Sequence, residues 1–536
     1  MTNHITRRSF LRLAAGGCAG SMAALYARPS LLGAEAAPSP AGSRPNIILC
    51  MCDDLGWGDV GFNGNQIIKT PNLDRMATEG IRFTRFHSGG PVCSPTRGTC
   101  LTGRHYFRYG IWTANAGHLP AEEATMARMC KSLGYAAGHF GKWHLGTLSK
   151  TLSSKGDRRK PEANYAPPWE RDYDESFVTE SCVPTWDPTS MGFGEKTPYY
   201  HNGELETENL SGDDSRVIMD RVIPFIRQAA AEKKPFLAVV WFHAPHGPVV
   251  AGPPYRAMYS EYSEDEQHYY GCITAMDEQV GRLRQELKAL GVAQNTVFWF
   301  CSDNGPEGKT GDTARYRGST GGLRGRKRSL FCGGVTVPGL LVWPGHAQPG
   351  RVVDVPCSTL DYFPTTMELL NFQWPGKPRP LDGVSLLPLI EGKMTERPAP
   401  IPFRYIQSEQ AMFGSPTVAM EESQYKLLTN FSGDGREDML FDLRKDPYEK
   451  SNIIQEKPEI AARMKSRLRD WIESCKRSYE GADYDTPYTP PEPFPILTGS
   501  WPGAKKAADE ELDAGKAKRK GRSKGKAAAA GDSTED

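Results

Sequence analysis

The segment Asn46-Ile47-Ile48-Leu49-Cys50-Met51-Cys52 runs straight into Asp53-Asp54. A near-continuous apolar run of this length reads as a strand buried on both faces, and the paired carboxylates mark where it leaves the core. The same grammar recurs. Phe236 to Phe242 leads into His243, and Thr296 to Cys301 leads into Ser302-Asp303-Asn304. Helical signals lie between these runs, around Asn72 to Glu79 and around Glu122 to Leu133, the latter stopped by Gly134. A third spans Ser263 to Leu290, with Tyr270, Ile273, Met276, Val280, Leu283 and Leu287 on one stripe and a stop at Gly291. Strands alternating with helices predict an α/β fold whose sheet has helices on both faces. Asp53, Asp54, Asp303 and Asn304 then fall at the carboxyl ends of strands, where such sheets bind ligands.

After about Leu381 the texture changes to short strand-like pieces, a turn region at Leu440-Phe441-Asp442-Leu443 and a charged helix from Pro458 to Glu473. The expected organisation is a catalytic region over 44–380, a smaller C-terminal α+β subdomain over 381–500 and a disordered basic tail over 503–536. The first 37 residues read as a twin-arginine export signal. Arg7-Arg8-Ser9-Phe10-Leu11 precedes a weak apolar stretch and a small-residue cleavage site near Ala34-Glu35-Ala36. Gly16, Gly17, Gly20 and Arg28 interrupt that stretch, so no stable membrane span is expected. Export places the mature chain in the periplasm or outside the cell. With 65 basic against 64 acidic residues, the balance offers no global argument for nucleic-acid binding. The twelve cysteines show no paired spacing and no CxxC metal pattern; most read as small core hydrophobes.

The sharpest motif is Cys93-Ser94-Pro95-Thr96-Arg97, followed by Thr102-Gly103. It resembles the sulfatase signature C-x-P-S/T-R, at which a maturation enzyme oxidises cysteine to formylglycine. Six further blocks stand in family order: Asp53-Asp54, Gly141-Lys142-Trp143-His144-Leu145-Gly146, His243-Ala244-Pro245-His246-Gly247-Pro248, Ser302-Asp303-Asn304-Gly305, Gly325-Arg326-Lys327, and Asp446 to Asn452. The resemblance implies an alkaline-phosphatase-like fold, a large mixed sheet flanked by helices, and hydrolysis of sulfate monoesters.

Chemistry and resemblance converge on the same residues. Asp53, Asp54, Asp303 and Asn304 offer hard oxygen ligands, which favours Ca²⁺ or Mg²⁺ over zinc; the family implies Ca²⁺, with Cys93 as a further ligand once modified. The family also implies that formylglycine 93, as its hydrate, attacks sulfur with help from the metal and Asp303. His246 or Lys327 protonates the departing alcohol. The sulfated hemiacetal then expels sulfate as its second hydroxyl is deprotonated with help from His144. Arg97 and Lys142 would hold the hydrate and sulfate, and Lys142, His246 and Lys327 would contact substrate. Pro245 breaks any helix that would carry a His243–His246 zinc pair, and matching the family's Pro-His block puts the active role on His246 and leaves His243 a supporting one. Expected partners are a sulfated small molecule or carbohydrate, the formylglycine-generating enzyme and the twin-arginine machinery. Two other classes fit less well: a formylglycine-dependent phosphodiesterase or phosphonate hydrolase, and a non-catalytic polyanion binder. Two departures from the family pattern stand at Cys332 and Thr336, where a Glu and an Arg are usual, and they put the geometry of that loop in doubt.

Overall fold

The computed structural model describes residues 44–308, 315, 317–405, 415–431 and 437–495. The export signal and the basic tail lie outside the described residues. One large sheet dominates. Its strands are β1 (Asn46–Cys52), β2 (Ile81–His87), β3 (Ala136–Lys142), β4 (Glu175–Thr179), β5 (Tyr200–His201), β6 (Glu204–Leu205), β7 (Phe236–Trp241), β8 (Thr296–Ser302), β9 (Thr336–Val342), β10 (Arg351–Val353) and β11 (Cys357–Ser358). They lie in the order β10-β2-β9-β8-β1-β7-β3-β4-β5-β6, with β11 also on β2. The central strands β8, β1, β7, β3 and β4 are parallel, while β9, β5 and β6 join antiparallel, so the sheet is mixed.

Burial on both faces explains the unbroken apolar runs. Along β1, Ile47, Leu49 and Met51 enter one core, and Ile48, Cys50 and Cys52 enter the other. The helices Pro71–Glu79, Asp214–Ala231 and Glu264–Ala289 cover the second face through Leu73, Met76, Val217, Val222, Ile273 and Met276. The helices Cys93–Thr102, Met126–Ser132 and Tyr362–Leu369 cover the first, through Leu101, Met129 and Phe363. The long helix starts where its sequence says it should. Ser263 caps it and Glu266 returns the capping bond, while Gly291 beyond its end takes a φ of 70°.

A second, antiparallel sheet holds β12 (Ile401–Arg404), β13 (Val418–Glu421), β14 (Tyr425–Thr429) and β15 (Met439–Asp442). One face receives the helix Pro458–Tyr479 through Met464, Leu468 and Ile472. Its other face, through Phe403, Ala419, Leu428 and Phe441, packs on Val92, Leu330, Phe331 and Val335. The smaller sheet thus braces the residue preceding Cys93 and the chain just after Lys327.

Three boundaries differ from expectation. The helix expected from Glu122 begins at Met126, because Thr125 caps it and the buried Glu123 is drawn off to Arg104 and Tyr484. Leu440-Phe441-Asp442 is strand instead of turn, paired with Tyr425-Lys426-Leu427. The last helix runs on to Tyr479, since Cys475 and Tyr479 keep its apolar stripe buried. The loop at Cys332 and Thr336 is tied by charges from elsewhere. Glu449 accepts the Cys332 N–H at 2.6 Å, and Lys426 Nζ lies 3.0 Å from Glu449 and 3.3 Å from Cys332 Sγ. Thr336 meets His87 Nδ1 at 3.2 Å, and His87 Nε2 meets Glu421 at 3.0 Å.

Candidate active site

Four neighbouring strands end at one place. Asp53 and Asp54 leave β1, Asp303 and Asn304 leave β8, His243 and His246 follow β7, and Lys142 ends β3. Backbone bonds lock these ends together: Asp53 N–H to Ala244 O at 3.1 Å, and Asp303 N–H to Cys52 O at 3.0 Å. Cys93 opens the helix Cys93–Thr102, so the positive end of that helix is turned to the cluster. Its Sγ lies 3.6 Å from Asp53 Oδ1.

The site alternates charge within a buried volume. Lys142 Nζ is 2.6 Å from Asp53, Arg97 is 2.7 Å from Asp303 and 3.4 Å from Asp53, and Lys327 Nζ is 2.7 Å from Asp54. Burial acts to raise Asp53, but Lys142, His246, Arg97 and Lys327 together hold it well below the usual carboxylate range. Asp303 moves the other way, pushed up by burial and by the charge on Asp53 against the pull of Arg97. Burial pushes the Cys93 thiol up to about 12 despite Lys142 and Lys327. As a plain thiol Cys93 is therefore protonated at neutral pH and a poor nucleophile.

The donors suit a hard cation. Ligand atoms of Asp53, Asp54, Cys93 and His246 lie within 4.8 Å of one another. Asn304 Nδ2 donates to Asp54 Oδ1 at 2.7 Å, yet its carbonyl Oδ1 is buried with no hydrogen-bond partner. An orphaned buried acceptor costs about 1–3 kcal/mol unless something positive meets it. Asp303 takes the Asp54 N–H on Oδ1 at 3.1 Å and meets Arg97 through Oδ2. These groups could hold a metal ion, and the Asp53, Asp54 and Asn304 oxygens among them are of the kind a hard cation takes.

The histidines separate by environment. His246 Nδ1 lies 2.7 Å from Gly247 O, and Nε2 lies 3.7 Å from Asp54. Burial lowers it, but Cys182, Asp53 and Asp54 overcome that and raise it to about 9, so it carries a proton to give. His144, at a φ of 57°, donates its backbone N–H to Glu180 O at 3.0 Å and places Nε2 2.8 Å from Asn115 Oδ1. Burial, with Lys142 and Arg97, keeps it neutral, and its Nδ1 has no hydrogen-bond partner among the described residues. His243 does not enter the cluster; it bridges Asp214 at 2.7 Å and Thr179 at 2.8 Å. His87, His105, His118, His139 and His201 lie outside it too, His87 on Glu421 and His201 on Glu175. Cys182 was not singled out from the sequence. Burial alone would raise its thiol, but His246 and Lys142 pull it down to about 6. The available signal was position: Ser181-Cys182 follows β4, at the same edge of the sheet as the other blocks.

No helix among the described residues is long and apolar enough to cross a membrane. The sulfatase family model matches residues 45–372, and a model described as N-sulphoglucosamine sulphohydrolase, C-terminal, matches 325–474. N-acetylgalactosamine-6-sulfatase of Sus scrofa is 32% identical over 390 residues, covering 68% of this chain and 69% of that protein. Among solved structures, Ps i-CgsB in complex with k-i-k-neocarrahexaose superimposes with a TM-score of 0.70 at 24% identity, over 88% of this chain and 98% of that one. A second, BT4656 in complex with D-glucosamine-2-N,6-O-disulfate, gives a TM-score of 0.60 at 19% identity, over 83% and 99%. The order of the strands, the charged cluster at their carboxyl ends and these likenesses agree, and the chain belongs to the sulfatase family, hydrolases of sulfate esters.

Proposed function

We propose that the protein hydrolyses sulfate monoesters of carbohydrates, using formylglycine made from Cys93 beside a bound Ca²⁺. The observation carrying this reading is Cys93 at a helix N-terminus, 3.6 Å from Asp53 and within the fields of Lys142 and Lys327. Carbohydrate is the substrate class because the relatives and solved structures named above act on or bind saccharides by their own descriptions. Formylglycine supplies two hydroxyls on one carbon when hydrated, and the cation supplies positive charge to the sulfate oxygens. Asp53, Asp54, Asp303 and Asn304 would hold the cation, with residue 93 a further ligand once modified.

The remaining work falls to the cations and histidines. Lys142 and Arg97 help to keep Asp53 ionised, and Arg97 holds the Asp303 carboxyl in place. Lys327, 3% exposed, offers its ammonium to a sulfate oxygen. His246, protonated and anchored on Gly247 O, delivers a proton from Nε2 to the leaving alcohol. His144, held neutral with Nδ1 open, accepts the proton released when sulfate departs. We assign the catalytic region to 44–380 and the bracing subdomain to 381–500, with the twin-arginine signal carrying the folded chain to the periplasm or beyond. Sulfate release from a panel of defined sulfated saccharides by the matured enzyme tests the reading. Release of phosphate or alkylphosphonate in preference to sulfate would overturn it.

A further inference from the structure

Between β3 and β4 lies an insert, Lys150 to Pro168, that none of the family motifs covers. It contains a buried cation with no carboxylate partner among the described residues. Arg159 ends a short helical turn, Gly156–Arg159, and is 3% exposed. Its Nε and Nη1 are sealed from solvent without an acceptor, and it forms no ion pair with any described residue. Four other deeply buried arginines are paired with carboxylates: Arg97 with Asp303, Arg104 with Asp483, Arg108 with Asp382 and Arg397 with Asp361, whereas Arg404 donates to the Pro495 carbonyl. The acid nearest in effect is Glu180, but its carboxylate is taken by Ser153 Oγ at 2.7 Å, Ser154 Oγ at 3.1 Å and Ser154 N–H at 3.3 Å. Burial drags the guanidinium down to about 10, and Glu180 offsets only part of that. A buried charge left without a counter-ion is destabilising by several kcal/mol, which makes an anionic ligand the natural complement.

Location says which ligand. Glu180 directly follows β4, and its carbonyl takes the His144 N–H at 3.0 Å. The charge on Arg159 is felt at both His144 and His118. The insert is fixed to the end of β3 by the Thr147–Tyr165 bridge and by Thr147 Oγ1 to Pro161 O at 2.6 Å. Arg159 therefore belongs to the segment packed beside Glu180 and His144, next to the cluster at the strand ends. A guanidinium matches the paired oxygens of a sulfate or a carboxylate. We propose that Arg159 anchors a second anion subsite, so that the substrate is a saccharide bearing another sulfate or a carboxylate beside the scissile ester. The inference rests on the sulfatase reading above.

The test compares kcat/KM for three sulfate esters in the matured enzyme and in Arg159→Gln and Arg159→Lys. The esters are 4-nitrophenyl sulfate, a disulfated disaccharide and a monosulfated disaccharide containing a uronate. In Arg159→Gln the preference for a doubly charged sugar over 4-nitrophenyl sulfate should fall at least about tenfold, the scale of one charge-assisted hydrogen bond. The loss should come through KM, and Arg159→Lys should restore part of it. Whichever disaccharide is affected identifies the second anion as sulfate or carboxylate. The melting temperature of Arg159→Gln should equal or exceed that of the parent, because an unpaired buried charge is gone. An unchanged preference ratio, or a lower melting temperature with equal losses on all three esters, overturns the subsite. If the parent enzyme releases sulfate from none of them, the sulfatase reading itself fails and the subsite falls with it.

Discussion

His246 shows how one side chain acquires a task from its surroundings. Burial alone would leave it neutral, yet Cys182, Asp53 and Asp54 raise it to about 9, and Gly247 O fixes the ring. A proton held this firmly matters most when the departing oxygen is a poor leaving group. His246→Ala should therefore lose more kcat on alkyl or sugar sulfates than on aryl sulfates, and equal losses would make His246 a sulfate-positioning residue. His105 illustrates the opposite case. Burial, with Arg108 and Arg404, drives it down to about 3 from an ordinary 6.5, so the folded chain holds it neutral. Between those values the unfolded chain binds a proton that the folded chain refuses, and stability falls as pH drops. At about pH 4.5 the difference is about 2–3 kcal/mol, at ~1.4 kcal/mol per pH unit. Thermal melts of His105→Gln should show a shallower decline than the parent between about pH 6.5 and pH 4.5. Parallel declines would remove His105 from the account.

The strands impose stricter demands than the helices. Gly141 sits inside β3 with a φ of 96°, and a Cβ there would lie 1.9 Å from Trp241 O on β7. Gly141→Ala should cost more than about 3 kcal/mol and yield little soluble protein, because neither the torsion nor the neighbouring backbone can give. A melting temperature near the parent's would contradict this. The second sheet depends on buried charge. Lys426, on β14, ties Glu449 and Cys332, all three buried, so Lys426→Met should destabilise by about 3–5 kcal/mol in denaturant titration. These elements differ in how far the sequence announced them. Asn46–Cys52 and Glu264–Ala289 were legible because two-sided burial and a capping box write themselves into local pattern. The strand Met439–Asp442 looks like a turn over Leu440-Phe441-Asp442-Leu443 in the sequence alone, because short strands in a small sheet are decided by partners such as Tyr425–Leu428 instead of by their own alternation. The late start at Met126 follows from a tertiary claim on Glu123 that no local pattern carries.

The cluster gathers residues 53, 54, 93, 97, 142, 144, 246, 303, 304 and 327 from segments far apart in the chain, and the parallel order β8-β1-β7-β3 puts them at one edge. The spacing of strand ends was readable, since each block followed an apolar run. What the sequence left out were residues whose meaning is purely spatial. Cys182 gains its character from His246 and Lys142, Asn115 from His144, and Arg159 from the lack of a carboxylate partner among the described residues. His246 Nε2 lies 3.7 Å from Asp54, so the proton it holds sits beside the carboxylates of the cluster. Chelation followed by stepwise return of Ca²⁺ should abolish and restore turnover, and Asp53→Asn should lower both turnover and cation affinity. Cation affinity unchanged in Asp53→Asn would remove Asp53 from the metal site. The most direct measurement follows one peptide and one product together. Enzyme produced with a formylglycine-generating partner is digested, the segment from Val92 to Arg97 is read by mass spectrometry, and sulfate release from a sulfated saccharide is assayed on the same sample. The account predicts that turnover rises in proportion to the fraction of Cys93 found as the aldehyde and vanishes in Cys93→Ala. Full turnover with Cys93 entirely unmodified would contradict it.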